Sequence, residues 1–205
     1  VRYGLEQLEQ NCPPGLEALL RLSGSNEGKI DTNVIAYQVA PRMNAAGRIS
    51  DCRVSVQLLL EKDPKQAEIL AQTLCDCNVE RKEKEQQVVR DIDLLLAGQE
   101  PKNKIMVYAS ERWHNGVIGI AASRLTERYA RPCILICFDG DSAKGSARSV
   151  RGVNLFELVG RSSKYLDNFG GHEMAVGLTL KKENYDNFLK DVTEHADSEI
   201  PDEAL

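Results

Sequence analysis

The spacing of apolar residues divides the chain into a helical first half and a second half in which strand and helix patterns alternate. Residues 1–50 carry leucines at helical spacing, interrupted by turn-forming segments at 12–15 and 24–28. Between residues 54 and 96 no glycine occurs and Pro64 is the single proline, while apolar residues recur among many charges. This pattern predicts a long helix that ends at Gly98 and that Pro64 could break.

The length of this helix indicates its role. Some 40 helical residues at about 1.5 Å each would span about 60 Å, which is too long for one small domain. We therefore expect a connector between two lobes. Its charged stretch at residues 80–85 alternates in sign, which predicts a solvated face.

The second half predicts a mixed α/β domain. Strand patterns cover 104–109, 133–138, 146–150 and 175–180, and helix patterns cover 117–129, 155–160, 163–168 and 183–195. Such alternation is typical of helices packed on a sheet. The expected fold class is α/β, with a long connecting helix followed by a mixed α/β domain.

The segment Asp139-Gly140-Asp141 lies between two predicted strands and allows two interpretations. The paired carboxylates could hold a metal ion. Asp-Gly between two extended segments is, however, a strong signal for a β-hairpin. We favour the hairpin.

Composition indicates a soluble cytoplasmic protein. No apolar run approaches the roughly 18 residues of a membrane span, and no signal peptide opens the chain. Cys133 and Cys137 of one predicted strand would lie about 13 Å apart at about 3.3 Å per residue, beyond the roughly 7 Å that a disulfide allows. We expect the six cysteines to be reduced and structural.

The charge is unevenly distributed. The net charge is −5, and residues 181–205 carry three lysines against eight acidic residues. Residues 144–164 carry five basic residues against Glu157 alone. This local basic patch is either a solvated face or a nucleic-acid-binding surface on an acidic protein.

The run Gly170-Gly171-His172 is a candidate phosphodiester site. Adjacent glycines let backbone N–H groups approach an anion, and the imidazole can donate a hydrogen bond to a phosphate oxygen. A glycine turn before a strand, with a buried histidine, is the alternative interpretation.

Two further segments carry candidate chemistry. Ser146 and Arg148 alternate on a predicted strand, so a hydroxyl and a guanidinium leave on one face and suit a terminal phosphate. His114 precedes a helix for which Asn115 is the expected N-cap, and a helix N-terminus attracts anions. Trp113 could stack on a base, although a core position is favoured.

Together and in order, four segments resemble the RecJ family of the DHH phosphoesterase superfamily. They are residues 39–48 (VAPRMNAAGR), 113–125 (WHNGVIGIAASRL), 144–149 (KGSARS) and 168–178 (NFGGHEMAVGL). The resemblance covers essentially the whole chain. It implies three parts: the helical end of a DHH catalytic domain at 1–53, a connector helix at 54–98, and a DHH-associated nucleic-acid-binding domain at 99–205.

The resemblance also implies a set of site residues. Ser146 and Arg148 would form a pocket for the DNA 5′ phosphate, and one or more of Arg42, Asn44 and Arg48 would contact the nucleic-acid backbone. The latter three flank a small-residue loop at 45–47, with Arg48 preferred as the contact, since Arg42 and Asn44 could equally fix the loop. The expected binding residues are Ser146, Arg148, Gly170, Gly171, Arg48, Arg42, Asn44 and His114, and the expected catalytic residue is His172.

The DHH family is named for an Asp-His-His motif that helps to hold two divalent metal ions, and the sequence lacks this motif. The chain also opens at Val1 inside an amphipathic pattern, so we expect a fragment of a longer protein. The resemblance implies that the parent is a single-stranded-DNA-specific 5′-to-3′ exonuclease of DNA repair and recombination, dependent on manganese or magnesium. The fragment is expected to bind single-stranded DNA, to bind no metal alone and to be inactive alone.

Partners of the parent could include a helicase and a single-strand-binding protein, and no membrane is expected. Two alternatives remain. The first is a DHH phosphodiesterase that acts on short RNA oligonucleotides or cyclic dinucleotides. The second is a RecJ-like replication scaffold without catalysis.

Overall fold

A computed structural model describes residues 1–24 and 30–205, which divide into two units, Val1–Glu83 and Lys84–Leu205. Beyond Gly24, the predicted turn at 24–28 lies outside the described residues. The helices that begin in the first unit are α1 (Arg2–Gln10), α2 (Pro14–Leu22), α3 (Thr32–Val34), α4 (Ala40–Ile49, after a π-helical turn at Ile35–Val39), α5 (Arg53–Leu60) and α6 (Pro64–Leu96).

The first unit is a helical cluster. Residues 61–63 separate α5 from α6, and Pro64 begins α6, where its missing N–H costs no helical hydrogen bond. The suggested break near Pro64 is therefore confirmed. Leu19 of α2, Leu58 of α5 and Leu74 of α6 belong to one fully buried core. The beginning of α6 is thus part of a packed unit and not a solvated connector.

The second unit contains, within the described residues, a five-stranded sheet in the order β1-β2-β3-β5-β4. β1 is parallel to β2, and the other neighbours are antiparallel. The strands are β1 (Met106–Ser110), β2 (Cys133–Asp139), β3 (Ser142–Arg148), β4 (Asn168–His172) and β5 (Ala175–Lys181). The helices after α6 are α7 (Asn115–Tyr129), α8 (Leu155–Arg161) and α9 (Tyr185–Glu199), with 3₁₀ turns at Ser163–Tyr165, Lys182–Asn184 and Asp202–Ala204. The long helix and the mixed sheet confirm the α/β class.

One face of the sheet carries the core of this unit. Alternation along the strands places Ala147, Val176 and Leu178 on this face, because side chains at every second position point the same way. They form one buried cluster with Leu158 of α8 and Phe188 of α9. The helices α8 and α9 therefore cover this side.

The opposite face is covered only in part. α7 packs against β2 and β3 and buries Val117, Ala121 and Leu125. By contrast, Gly170 of β4 and Gly177 of β5 remain exposed. The half of this face formed by β4 and β5 is consequently open.

The end of α6 is fixed to α7 by polar contacts. The indole N–H of Trp113 donates to Asp91 Oδ2 at 2.9 Å, and Trp113 is 5% exposed. The core interpretation of this tryptophan is confirmed. Arg124 pairs with Glu85 at 3.4 Å, and Glu85 is buried. The prediction of a solvated face across 80–85 is therefore wrong at Glu85, since its apposition to α7 is a tertiary contact that charge alternation does not reveal.

Two local predictions have opposite outcomes. The Asp139-Gly140-Asp141 hairpin is confirmed: β2 and β3 pair antiparallel, and Gly140 has φ +59°, as a tight hairpin turn requires. The predicted helix at 163–168 is wrong beyond Tyr165, because Asn168 begins β4 and pairs with Thr179 of β5. Pairing with the next strand of the chain overrides the local helical pattern here.

Two compositional expectations also bear on the fold. All six cysteines are free, as expected. Within the described ranges, no helix combines the length and the apolar character that a membrane crossing requires. The division at 53 and 98 remains a prediction, and the boundary between the two units falls within α6.

Candidate nucleic-acid interface

The side of the sheet opposite α8 and α9 presents three rows of residues that run from β3, beside α7, across β5 to β4. In the middle row, Ser146 pairs with Gly177, and Gly177 pairs with Gly170. We name this surface the open face; its members are Lys144, Ser146 and Arg148 of β3, Ala175, Gly177 and Thr179 of β5, and Asn168, Gly170 and His172 of β4.

Ser146 and Arg148 are held next to each other on the open face. Arg148 Nη1 donates to Ser146 Oγ at 3.2 Å and to the carbonyl of Ala147 at 2.8 Å. Both side chains are half-buried, so their positions are restricted before any ligand arrives. A hydroxyl beside a guanidinium suits the oxygens of a terminal phosphate. The two side chains share a face, as the alternation predicted.

α7 lies directly over this pair because it carries a glycine at the point of contact. A Cβ on Gly119 would lie 2.8 Å from Ser146 Oγ and 3.1 Å from Arg148 Nη2. Asn115, at the start of α7, borders a cavity of about 340 Å³ together with Lys144 and Gly170. The N–H groups of a helix N-terminus favour a bound anion.

The N-cap of α7 differs from the expectation. His114 Nδ1 accepts the N–H of Gly116 at 3.0 Å, so His114 is the cap and Asn115 is the first helical residue. The predicted Asn115 cap is wrong, because a histidine ring nitrogen supplies the acceptor that asparagine usually provides. With Nδ1 accepting, Nε2 of His114 carries the proton and can donate.

The Gly170-Gly171-His172 run lies on the edge strand β4 and not in a turn. Gly171 has φ +148°, and a Cβ there would lie 2.1 Å from the carbonyl oxygen of Ala175, so this position requires glycine. His172 is exposed, and its Nδ1 accepts the N–H of Met174 at 3.3 Å. The alternative of a buried histidine is therefore wrong.

The first unit holds the three residues expected around a small-residue loop. Residues 45–47 belong to the helix α4, and Ala45 is fully buried, so the loop prediction is wrong. Alanine favours helix, and both Ala45 and Ala46 are buried in this helix. Arg42 Nη1 donates to the carbonyl of Gln38 at 2.6 Å, which fixes the helix locally. Asn44 and Arg48 are exposed.

The structure therefore gathers one part of the expected site. Ser146, Arg148, Gly170 and His172 share the open face, with His114 at the start of α7 in the same unit. Arg42, Asn44 and Arg48 belong to the first unit. Their roles remain predictions.

The expected site omitted several residues of the open face. Lys144 was recoverable from the two-residue period that joins it to Ser146 and Arg148. Asn168, Gly177 and Thr179 were not, because only the register among β3, β4 and β5 brings them beside Ser146. The pairing of β3 with β5 joins segments that are far apart in the sequence, and the pattern within one strand does not identify its partner.

Two other kinds of reactive site were considered, a reactive thiol at Cys137 and a metal site. Burial raises the pKa of the Cys137 thiol, whose Sγ donates to the carbonyl of Trp113 at 2.8 Å, so Cys137 is structural. Within residues 1–24 and 30–205, no group of three His, Cys, Asp or Glu side chains is arranged to hold a metal ion. These residues do not fit the two-metal site that the resemblance implies.

Sequence comparisons relate the chain to known proteins. Residues 102–197 match the family model of the DHHA1 domain. The single-stranded-DNA-specific exonuclease RecJ of Bacillus subtilis is 38% identical over 98% of this chain and 26% of that protein. The RecJ of Escherichia coli K12 is 36% identical over 86% of this chain and 32% of that protein. The chain thus spans about a quarter to a third of the length of these curated relatives.

Comparison with solved structures also relates the chain to RecJ. The crystal structure of Thermus thermophilus RecJ in complex with Mg²⁺ superposes with a TM-score of 0.83 and 29% identity, covering 97% of this chain and 30% of that one. Another RecJ structure is described as bound to manganese. These relatives favour neither the phosphodiesterase nor the scaffold alternative. The chain thus carries a DHHA1 domain at residues 102–197 and is similar over almost its whole length to one part of the RecJ exonucleases.

Proposed function

We propose that this chain is the strand-binding part of a single-stranded-DNA-specific exonuclease, and that its open face holds the 5′ end of the strand. The observation that supports this most directly is the Ser146–Arg148 pair, held by a 3.2 Å hydrogen bond against α7. A 5′-phosphate carries more negative charge than an internal phosphodiester. A fixed guanidinium against the second turn of α7, together with the helix N-terminus near Lys144, therefore favours the terminal group.

The shape of the open face suits a single strand. It is three strands wide, which is roughly 10 Å at about 4.8 Å between neighbouring strands. Asn168, Gly170 and Gly177 are exposed, so an unpaired chain can lie along the surface with its backbone in contact. A duplex has less access to the Ser146–Arg148 pair, because its terminal phosphate is flanked by the second strand.

The distribution of charge supports the same face. Lys144 and Arg148 give the open face a positive potential. On the other side of the sheet, α9 carries five acidic residues against Lys190 alone. Opposite potentials on the two sides of a sheet direct a polyanion to the positive one.

The activity of the parent is part of the proposal. We infer that the parent hydrolyses DNA from the 5′ end in repair and recombination in the cytoplasm, and that a helicase and a single-strand-binding protein act with it. The divalent manganese or magnesium of the parent would be held by residues outside this chain. His172 would donate a hydrogen bond to a phosphate oxygen, and the chain alone would bind without hydrolysing.

The test is a pair of titrations of the 205-residue chain with oligothymidylates that differ only in a 5′-phosphate or 5′-hydroxyl. Arg148→Ala should weaken binding of the phosphorylated strand by roughly tenfold to a hundredfold, since a charge-assisted contact contributes about 1.5–3 kcal/mol. Binding of the hydroxyl strand should change far less. Lys190→Ala, which removes an exposed charge from α9, is the matched control.

The outcomes separate the alternatives. Equal loss for both strands would identify Arg148 as a general backbone contact, and no loss would make it a purely structural residue. Release of nucleotides by the chain in the presence of manganese would contradict the proposal that it binds without cutting.

A further inference from the structure

Gly170 and Gly177 face each other in the middle row of the open face, and the fold requires glycine at neither position. Neither residue has a positive φ, and a Cβ built on either would meet no atom within 4 Å. Each is exposed and lies within a strand. A Cβ atom therefore has open space at either position.

Other glycines of the sheet differ in this respect. Gly171 combines φ +148° with a contact of 2.1 Å to the carbonyl oxygen of Ala175. A Cβ on Gly145 would lie 2.6 Å from Leu178 Cδ1 on the core face. These two glycines are explained by backbone conformation and packing, whereas Gly170 and Gly177 are not.

A glycine in a strand interior weakens the strand, because it adds backbone entropy to the unfolded state and offers no side chain for packing. The pair of glycines across β4 and β5 therefore reduces the stability of the sheet, and no packing or backbone requirement compensates for this loss. Glycine in a strand also occurs where another molecule approaches the backbone closely. That explanation fits an exposed pair in the centre of a ligand-binding face.

The neighbours of the glycine pair are polar. Ser146 continues the same row on β3, and the adjacent row towards the hairpin contains Lys144, Thr179 and Asn168. Lys144 and Asn168 are exposed and border the same cavity as both glycines. An ammonium, a hydroxyl and an amide thus surround a floor that has no side chains.

We propose that Gly170 and Gly177 form the floor of a trough that receives the nucleotides directly behind the 5′ phosphate. The sugar–phosphate chain lies against the backbones of β4 and β5, and Lys144 pairs with the next phosphate along the strand. This inference rests on the proposed function of the open face. It adds that the absence of two side chains, and not only the presence of Arg148, determines binding.

The test is Gly177→Val in the 205-residue chain, with Gly177→Ala and Gly170→Ala as smaller changes. Thermal unfolding should occur at the same or a higher temperature, because valine favours strands and has open space here. Binding of oligothymidylate should weaken by about tenfold or more, the equivalent of one good phosphate contact. The loss should be similar for 5′-phosphate and 5′-hydroxyl strands, unlike the selective loss for Arg148→Ala.

Ser142→Val is the matched control, because it places the same side chain at an exposed strand position of β3 outside the three rows. It should leave binding unchanged. Unaltered binding by Gly177→Val, with Arg148→Ala still selective for the phosphate, would overturn the trough but not the proposed function. A clear loss of stability in both Gly177→Ala and Gly170→Ala would assign the glycines to the fold and also overturn it. Failure of the unaltered chain to bind either strand would overturn both proposals.

Discussion

At the level of single residues, side-chain direction is more predictable than side-chain partners. The two-residue period of a strand places Ser146 and Arg148 on one face, and the structure agrees. The cap at His114 is not predictable in this way, because the sequence offers the more usual Asn115 at the next position. Hydrogen-bond partners that depend on three-dimensional geometry, such as the Gly116 N–H for His114, are identified only in the structure.

His172 offers a residue-level prediction. Its Nδ1 accepts the N–H of Met174, so Nε2 carries the proton and is the ring nitrogen that can donate to a ligand. In the full-length parent, His172→Ala should slow single-turnover hydrolysis on the order of a hundredfold, as expected for losing one donor to developing charge. Binding of the strand should change much less. The measurement compares single-turnover rates with dissociation constants.

The control for this experiment is His195→Ala, which alters a partly exposed histidine on α9 near Asp191 and Glu199. It should leave both the rate and the binding unchanged. An equal loss of binding and rate for His172→Ala would assign that residue to binding alone.

At the level of elements, long regular segments are predicted well and short paired ones are not. The strand at 133–138 and the helix at 117–129 appear as β2 and α7 with small changes at their ends. β4 escapes prediction, because two glycines within five residues give no strand signal and its pairing partner β5 supplies the order. α4 resembles a loop in sequence, because Ala45-Ala46-Gly47 fits a flexible segment as well as a packing surface.

The contact of α7 with β3 gives a second prediction. Gly119→Ala should improve the helical propensity of α7 by about 1 kcal/mol. The added methyl group would nevertheless displace the Ser146 hydroxyl, which lies 2.8 Å from its position. The preference for a 5′-phosphate over a 5′-hydroxyl should therefore fall by about tenfold, equivalent to one hydrogen bond to a charged group.

Gly160→Ala in α8 is the matched control, because its added methyl would lie 3.7 Å from Phe169, an ordinary contact. Paired titrations and thermal unfolding are measured on both variants. An unchanged phosphate preference in Gly119→Ala would show that the close approach of α7 does not position the pocket.

The junction between α8 and α9 gives a prediction about pH. Lys164 pairs with Asp191 at 2.9 Å, and the buried Ser162 donates to Asp191 at 2.8 Å. The ion pair with Lys164, followed by the Ser162 hydrogen bond, holds the pKa of Asp191 below its ordinary value. A lowered pKa in the folded state means that the contribution is present above the unfolded pKa and is lost as pH falls through the folded one.

Asp191→Asn should therefore reduce the free energy of unfolding by about 1 kcal/mol near neutral pH, and the difference should shrink below about pH 4. Urea unfolding at several pH values measures it. Glu194→Gln, in an exposed pair with Lys190, should have little effect. A difference that stays constant down to low pH would show that the carboxylate charge is not responsible.

At the level of the whole molecule, the alternation of strand and helix after Gly98 predicts the α/β class correctly. The long helix is also anticipated, but its two ends pack into different units, with Leu74 buried in the first and Ile92 buried in the second. A net charge of −5 obscures the positive charge of the open face, which becomes visible once the sheet places Lys144 and Arg148 on one side. Overall charge is a sum, whereas binding depends on its local distribution.

Binding of single-stranded DNA to the open face is tested most directly by titrating the ¹⁵N-labelled chain with a 5′-phosphorylated oligothymidylate. The amide chemical shifts are measured at each step of the titration. We expect the largest changes on the open face, at Ser146, Gly170 and Gly177, and at the start of α7 near Gly116. The amides of α8 and α9 on the opposite side of the sheet should change little. Shifts concentrated on α8 and α9, with the open face unaffected, would show that the strand does not bind to the open face.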